Sequence, residues 1–230
     1  MFTIRRGTDR GVTNFGWLDS RHTFSFGDYY DPAHHNYRTL RVINDDRIAA
    51  GGGFPSHPHR DMEILTCLLS GELEHKDSMG TGEVIHPGEW QRMTAGRGVV
   101  HSEFNPSQVN PSHLLQIWIV PERKGLEPGY EQKSLPSGDG VWRTVASRDG
   151  RDGSLTIHQD AVLSSARIGK DQSLDYSLPA GRGAWLHVAK GKVDVNGHEV
   201  GEGDAAAIEG EPRFTVKGRD GGDVILFDLA

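Results

Sequence analysis

Leu68-Leu-Ser-Gly-Glu-Leu-Glu74 joins the end of one apolar run to the start of another through a Ser-Gly turn, and Val188-Ala-Lys-Gly-Lys-Val-Asp194 repeats that pattern in the second half of the chain. Each copy is followed by a glycine and an acid, Pro87-Gly88-Glu89 in the first half and Gly201-Glu-Gly-Asp204 in the second. Short apolar runs punctuated by turn residues read as strands. Their recurrence predicts a duplicated all-β unit.

Other stretches agree. Thr39–Ile43, Glu63–Leu69, Leu114–Val120, Leu155–Leu163, Ala184–Ala189, Lys192–Val195 and Val224–Leu229 are short and rich in β-branched or apolar residues. Lys192-Val-Asp-Val-Asn-Gly-His-Glu-Val200 predicts a hairpin closed by an Asn-Gly turn. Glycine is abundant, 30 of 230 residues, against a usual share of about 7%, as many tight turns require. Helix is expected to be scarce, with one short helix near 160–168. Ser134–Gly140 and Ser147–Gly153 have loop composition, so the expected domains are two mostly antiparallel β-barrels, residues 1–135 and 136–230.

The net charge of −7 and the lack of a basic block argue against direct nucleic-acid binding. The single cysteine, Cys67, lies in an apolar run; it is expected to be buried and suits a reducing compartment. The longest apolar run, 114–120, is interrupted by Gln116 and is far too short to cross a bilayer. The start MFTIRRGTDRG has no apolar leader-like stretch. These features predict a soluble, cytoplasmic protein.

Two histidine-bearing pairs carry the chemistry. His57-Pro-His59 and His101-Ser-Glu103 are each spaced i, i+2, which places both side chains on one face of a strand. Two such pairs on neighbouring strands would form a cage of three imidazoles and one carboxylate. Pro58 cannot donate to a β-ladder, which places the first pair near a strand end. Glu63 shares the parity of His57 and His59, but on a regular strand it would stand about 13 Å beyond His59. A role behind the ligands or a purely structural one is therefore expected for it. His158, His187 and His198 are isolated and are read as structural or exposed.

At these residues the sequence resembles the pirin family. Gly51-Gly-Gly-Phe-Pro-Ser-His57-Pro-His59-Arg-Asp-Met-Glu63 and Pro87-Gly-Glu-Trp-Gln-Arg-Met-Thr-Ala-Gly-Arg-Gly-Val-Val-His101-Ser-Glu103 resemble the pirin forms of the two cupin motifs. Gly16–Tyr30, Leu40–Asp46 and Gln116–Pro121 are also similar to the family. Asp149–Asp160 and Leu226–Leu229 resemble its bacterial quercetinase-like branch. The resemblance implies two cupin-type barrels in a monomer, with one metal in the first held by His57, His59, His101 and Glu103. In many other cupins the acidic ligand comes from the position of Glu63.

Such ligands suit one divalent transition ion. Fe(II) is the expected metal, with Zn, Mn, Ni, Cu and Co as alternatives. The resemblance implies a quercetin 2,3-dioxygenase-like activity: ring cleavage of a flavonol by O₂ with release of carbon monoxide, Glu103 being the candidate base. Phe54, Met62, Met93 and Phe104 are expected to line the substrate pocket. A non-enzymatic metal or redox sensor, or transcriptional co-regulator, is the rival reading. A cupin isomerase that works without oxygen is a third.

Overall fold

The computed structural model describes residues 1–230. In chain order the strands are β1 (Phe2–Arg5), β2 (Gly11–Asn14), β3 (Leu18–His22), β4 (Leu40–Ile48), β5 (Gly53–His59), β6 (Glu63–Ser70), β7 (Leu73–Asp77), β8 (Gly82–Ile85), β9 (Glu89–Thr94), β10 (Val99–Phe104), β11 (Ser112–Ile119), β12 (Gly129–Ser134), β13 (Gly138–Asp139), β14 (Arg143–Ser147), β15 (Leu155–Thr156), β16 (Ala161–Ile168), β17 (Ser173–Ser177), β18 (Gly183–Val195), β19 (His198–Gly201), β20 (Ala205–Glu209) and β21 (Arg213–Leu229). Helix is limited to single 3-10 turns at Gly7–Asp9 and Arg151–Gly153. The helix expected near 160–168 is instead β16, paired with β14 on one side and β21 on the other. Ladder hydrogen bonds on both sides and burial along almost the whole strand override a weak local pattern there.

The chain divides into two compact units. The N-terminal unit holds Gly11–Leu135 and Leu155–Gln159; the C-terminal unit holds Met1–Arg10, Pro136–Ser154 and Asp160–Ala230. Residues 1–10 and 155–159 therefore lie in the opposite units from those expected of domains 1–135 and 136–230. In the first case β1 pairs antiparallel with β20, from Phe2↔Ile208 to Arg5↔Ala205. In the second, the Thr156 N–H donates to Glu131 (3.0 Å) and the Gln159 amide to the Val120 carbonyl (2.8 Å).

In the N-terminal unit, a seven-stranded sheet (β12-β9-β6-β11-β4-β3-β2) and a four-stranded sheet (β5-β10-β7-β8) enclose a common interior. Leu18, Ile48, Leu68 and Leu114 of the larger sheet pack with Leu73 and Ile85 of the smaller. Burying such side chains is worth roughly 1.5–3 kcal/mol each. Beyond that apolar layer the inward positions turn polar. Registers Gln91↔Thr66, Thr66↔Gln116, Gln116↔Asn44 and Asn44↔His22 form an unbroken polar row across five strands. Cys67 is buried and forms no disulfide.

The C-terminal unit runs β1-β20-β18-β21-β16-β14, with β13, β17 and β19 added beside this path. Its interior is apolar: Leu186, Val188, Val193, Phe214, Val224 and Leu226 belong to one buried cluster. The Asn196-Gly197 turn has both residues at positive φ (50° and 86°) and joins β18 to β19, as the hairpin reading requires. The repeated string also has a structural basis: Gly71 and Gly191 both sit at φ +78°, where a side chain would meet the Pro111 or Gly221 carbonyl oxygen at 2.6 or 2.2 Å.

Candidate metal centre

His57 and His59 lie on β5 and His101 and Glu103 on β10, and these strands are antiparallel neighbours with His101 opposite His57. Alternation then turns all four side chains to one face. The ladder to β5 shifts register between His101 and Glu103, and on the other side of β10 Glu103 stands opposite His75 of β7.

The imidazole ring centroids of His57, His59 and His101 are 4.5–4.8 Å apart. His57 Nδ1 donates to the Pro55 carbonyl at 2.8 Å, which fixes the tautomer and leaves Nε2 bare. That Nε2 lies 3.1 Å from Nε2 of His101. Two nitrogens bound at about 2.1 Å to adjacent positions of one ion would lie about 3 Å apart. Burial, with the neighbouring His101 and His57 adding to it, lowers His59 to about 4. Burial, with His57 and His75, lowers His101 to about 3. Both are therefore neutral near pH 7, the form that ligates metal.

Glu103 is 3% exposed. Its Oε2 accepts from the Gln116 amide at 2.9 Å, and the Gln116 Oε1 in turn accepts from the Thr66 hydroxyl at 3.3 Å. Its Oε1 is buried with no hydrogen-bond partner. A buried carboxylate oxygen left unpaired is costly, and a cation shared with His101 would satisfy it. The residues fit a single divalent metal.

The structure adds a residue that sequence reasoning missed. His75 is fully buried, and with His101 and Glu103 it forms a second possible ligand group. Its nitrogens are nevertheless engaged within the protein: Nε2 is 3.1 Å from Asp77, and Nδ1 is 3.2 Å from the Gln91 amide and 3.4 Å from His101 Nδ1. Burial raises the Asp77 carboxyl, but hydrogen bonds from His75 and from the Thr81 and Met79 backbone outweigh that and hold it low. His75 thus supports the His101 ring from behind. His75-Lys-Asp77 is itself an i, i+2 pair, a signal available in the sequence.

Glu63 is not part of the cluster. Asp61 takes positive φ (50°), and the chain turns there into the larger sheet. Glu63 is buried and accepts from Thr94 at 2.9 Å, while His158 Nδ1 lies 3.1 Å away. His158 accordingly belongs to the N-terminal unit. His187 is buried in the C-terminal unit, and His198 is exposed and stacked on Phe2.

A cavity of about 490 Å³ opens beside the donors and is lined by His57, His59 and Glu103 together with Phe15, Phe26, Phe54 and Trp118. That volume suits a small molecule. Trp118 stands edge-on to His59 (5.0 Å) and Phe26 edge-on to Trp118 (5.4 Å). Of the four expected pocket residues only Phe54 lines the cavity. Met62 and Met93 pack with Ile64, Ala95 and Val99, and Phe104 points to solvent, 36% exposed. Phe104 follows Glu103 on β10 and so faces the opposite way, while Met93 stands opposite Ile64 of β6 and Met62 lies between β5 and β6.

Ser20 and Asp46 complete the wall. Asp46 is buried, and its carboxylate accepts from the Ser20 hydroxyl. Burial lifts it to about 7, against the Ser20 hydrogen bond, with the charges of Asp45 and Glu103 pushing the same way as burial.

Comparison with known proteins agrees with this architecture. Residues 5–119 match the Pirin family model, and residues 144–229 match that of the quercetinase C-terminal cupin domain. The chain belongs to the pirin family. It is 47% identical over 229 residues to a quercetin 2,3-dioxygenase of Escherichia coli K12, covering 100% of this chain and 99% of that protein. A putative quercetin 2,3-dioxygenase of Pseudomonas aeruginosa is 43% identical, with 98% and 99% covered. The crystal structure of the E. coli pirin YhhW in complex with nickel(II) superposes with a TM-score of 0.96 at 46% identity, covering 100% of this chain and 99% of that one. Both units of this pirin are thus cupin-type β-structures. No helix is long and apolar enough to cross a membrane.

Proposed function

We propose that this pirin is a metal-dependent flavonol dioxygenase of the quercetin 2,3-dioxygenase type. It opens the central ring of a quercetin-like substrate with O₂ and releases carbon monoxide. His57, His59, His101 and Glu103 hold the metal, with Fe(II) the native ion, in a cytoplasmic monomer that binds no nucleic acid; the C-terminal unit holds no metal. The observation that carries this reading is a group of three imidazoles, His57, His59 and His101, the last of which also groups with the Glu103 carboxylate, beside a small-molecule cavity walled by aromatic rings.

A bound divalent ion supplies Lewis acidity to stabilise a deprotonated substrate hydroxyl. The protein's own groups do the rest. Phe26, Phe54 and Trp118 present apolar surface to a planar ring system. Gln116 holds Glu103 in place. Because Oε2 of Glu103 is engaged by Gln116, this carboxylate can take the hydroxyl proton only if Oε1 leaves the metal.

The test is aerobic incubation of iron-loaded protein with quercetin, following flavonol absorbance and carbon monoxide. Metal-dependent loss of absorbance with one carbon monoxide per flavonol is expected. Metal binding without turnover would favour the sensor or co-regulator reading.

A further inference from the structure

Three acidic residues line the cavity, Asp28, Asp46 and Glu103; Asp28 is exposed to solvent, and the surroundings of the two buried ones divide the work between them. Glu103 has one oxygen on Gln116 and the other buried without a hydrogen-bond partner, and it groups with His101 as a possible metal ligand. Asp46 belongs to neither possible ligand group, stands on β4 in the larger sheet, and lines the same cavity. Its hydrogen-bond partner is Ser20, its register neighbour on β3, bound to Oδ1. The second oxygen, Oδ2, is left for whatever occupies the cavity.

We propose that Asp46, oriented by Ser20, is the proton acceptor for the substrate hydroxyl, while Glu103 remains a ligand throughout. This rests on the flavonol reading. The substrate O–H bond breaks, the proton passes to Asp46 Oδ2, and the electron pair stays on the substrate oxygen. No oxidant enters this step. The carboxyl returns the proton to solvent as the product acid leaves ionised. A base works best with a pKa near the working pH, and burial places Asp46 there. Because Asn cannot accept a proton but preserves the shape, Asp46→Asn isolates the role.

The test is an anaerobic titration of quercetin into iron-loaded protein just above pH 7, where the folded Asp46 carboxyl is ionised, with the spectrum of free flavonol at the same pH as the reference. A flavonol ionised at its 3-hydroxyl absorbs at longer wavelength than the neutral form. Wild-type protein is expected to develop the long-wavelength band. Asp46→Asn is expected to keep its iron, bind quercetin within about threefold and lack the band, with kcat about 10²-fold lower or more. Ser20→Ala, a second variant that leaves the carboxyl in place, is expected to keep the band and lose about tenfold in kcat. An undiminished band and kcat in Asp46→Asn would overturn the assignment alone, as would loss of iron from that variant. Wild-type protein that neither binds nor cleaves flavonol would overturn the assignment and the flavonol reading together.

Discussion

The two units are built from the same short antiparallel strands, yet they fill their interiors in opposite ways. The C-terminal unit packs Leu186, Val188, Phe214, Val224 and Leu226 inward. The N-terminal unit sets His22, Asn44, Thr66, Gln91 and Gln116 in one row across five strands. Buried polar groups add little net stability and are costly when unpaired. A row of them is retained where it holds a site. Here it grips Glu103 through Gln116 and His75 through Gln91. Similarity of fold therefore does not divide function equally.

Four experiments break or sharpen this contrast. The largest effect is expected from His101→Ala, which should abolish stoichiometric metal binding and ring cleavage. His187→Gln, at a buried histidine of the C-terminal unit, should leave metal content unchanged; elemental analysis of both variants decides. Next, Leu226→Ala should cost about 2–5 kcal/mol of stability by opening a cavity in the apolar interior, with metal affinity preserved. Denaturant unfolding and chelator competition measure the two quantities separately. Gln116→Leu should act on both, weakening metal binding about 10–100-fold by releasing Glu103 and costing the apo-protein about 1–3 kcal/mol because Glu103 is left buried without that partner.

The smallest effect has the opposite sign. Asp46→Asn should stabilise the apo-protein by about 1–3 kcal/mol at pH 8, where the wild type buries a charge. The Asp46 carboxyl is raised from 3.8 to about 7 on folding. Between those values the folded state holds a proton that the unfolded state has lost, so this group's contribution to stability falls as pH rises. The gap between variant and wild type should therefore vanish below pH ~4 and reach its full size above pH ~7. A gap that does not change with pH would remove Asp46 from the titrating groups.

Much of the site was legible from local spacing. The i, i+2 pairs His57/His59 and His101/Glu103 needed only strand alternation to share a face, and β5 and β10 prove adjacent. The turn types at Gly71 and Asn196-Gly197 were equally local. What escaped depends on long-range register. Asp46 and Gln116 face the cavity because β3, β4 and β11 align as they do, and no short window encodes that alignment. Met93 was misassigned for the same reason: its face is set by β6, where it stands opposite Ile64. Ala161–Ile168 became a strand because it has partners on both sides, and Phe2–Arg5 joined the C-terminal unit through a pairing some 200 residues distant.

That last pairing bears on how the molecule is made. β1 is synthesised long before β20, and at about 5–20 residues per second it waits on the order of 10–40 s for its partner on the ribosome. Until then its backbone donors and acceptors have only water or a chaperone to engage. The C-terminal unit cannot close its sheet before β20 and β21 have emerged, whereas the N-terminal unit has all but five of its residues, Leu155–Gln159, once Leu135 has been made.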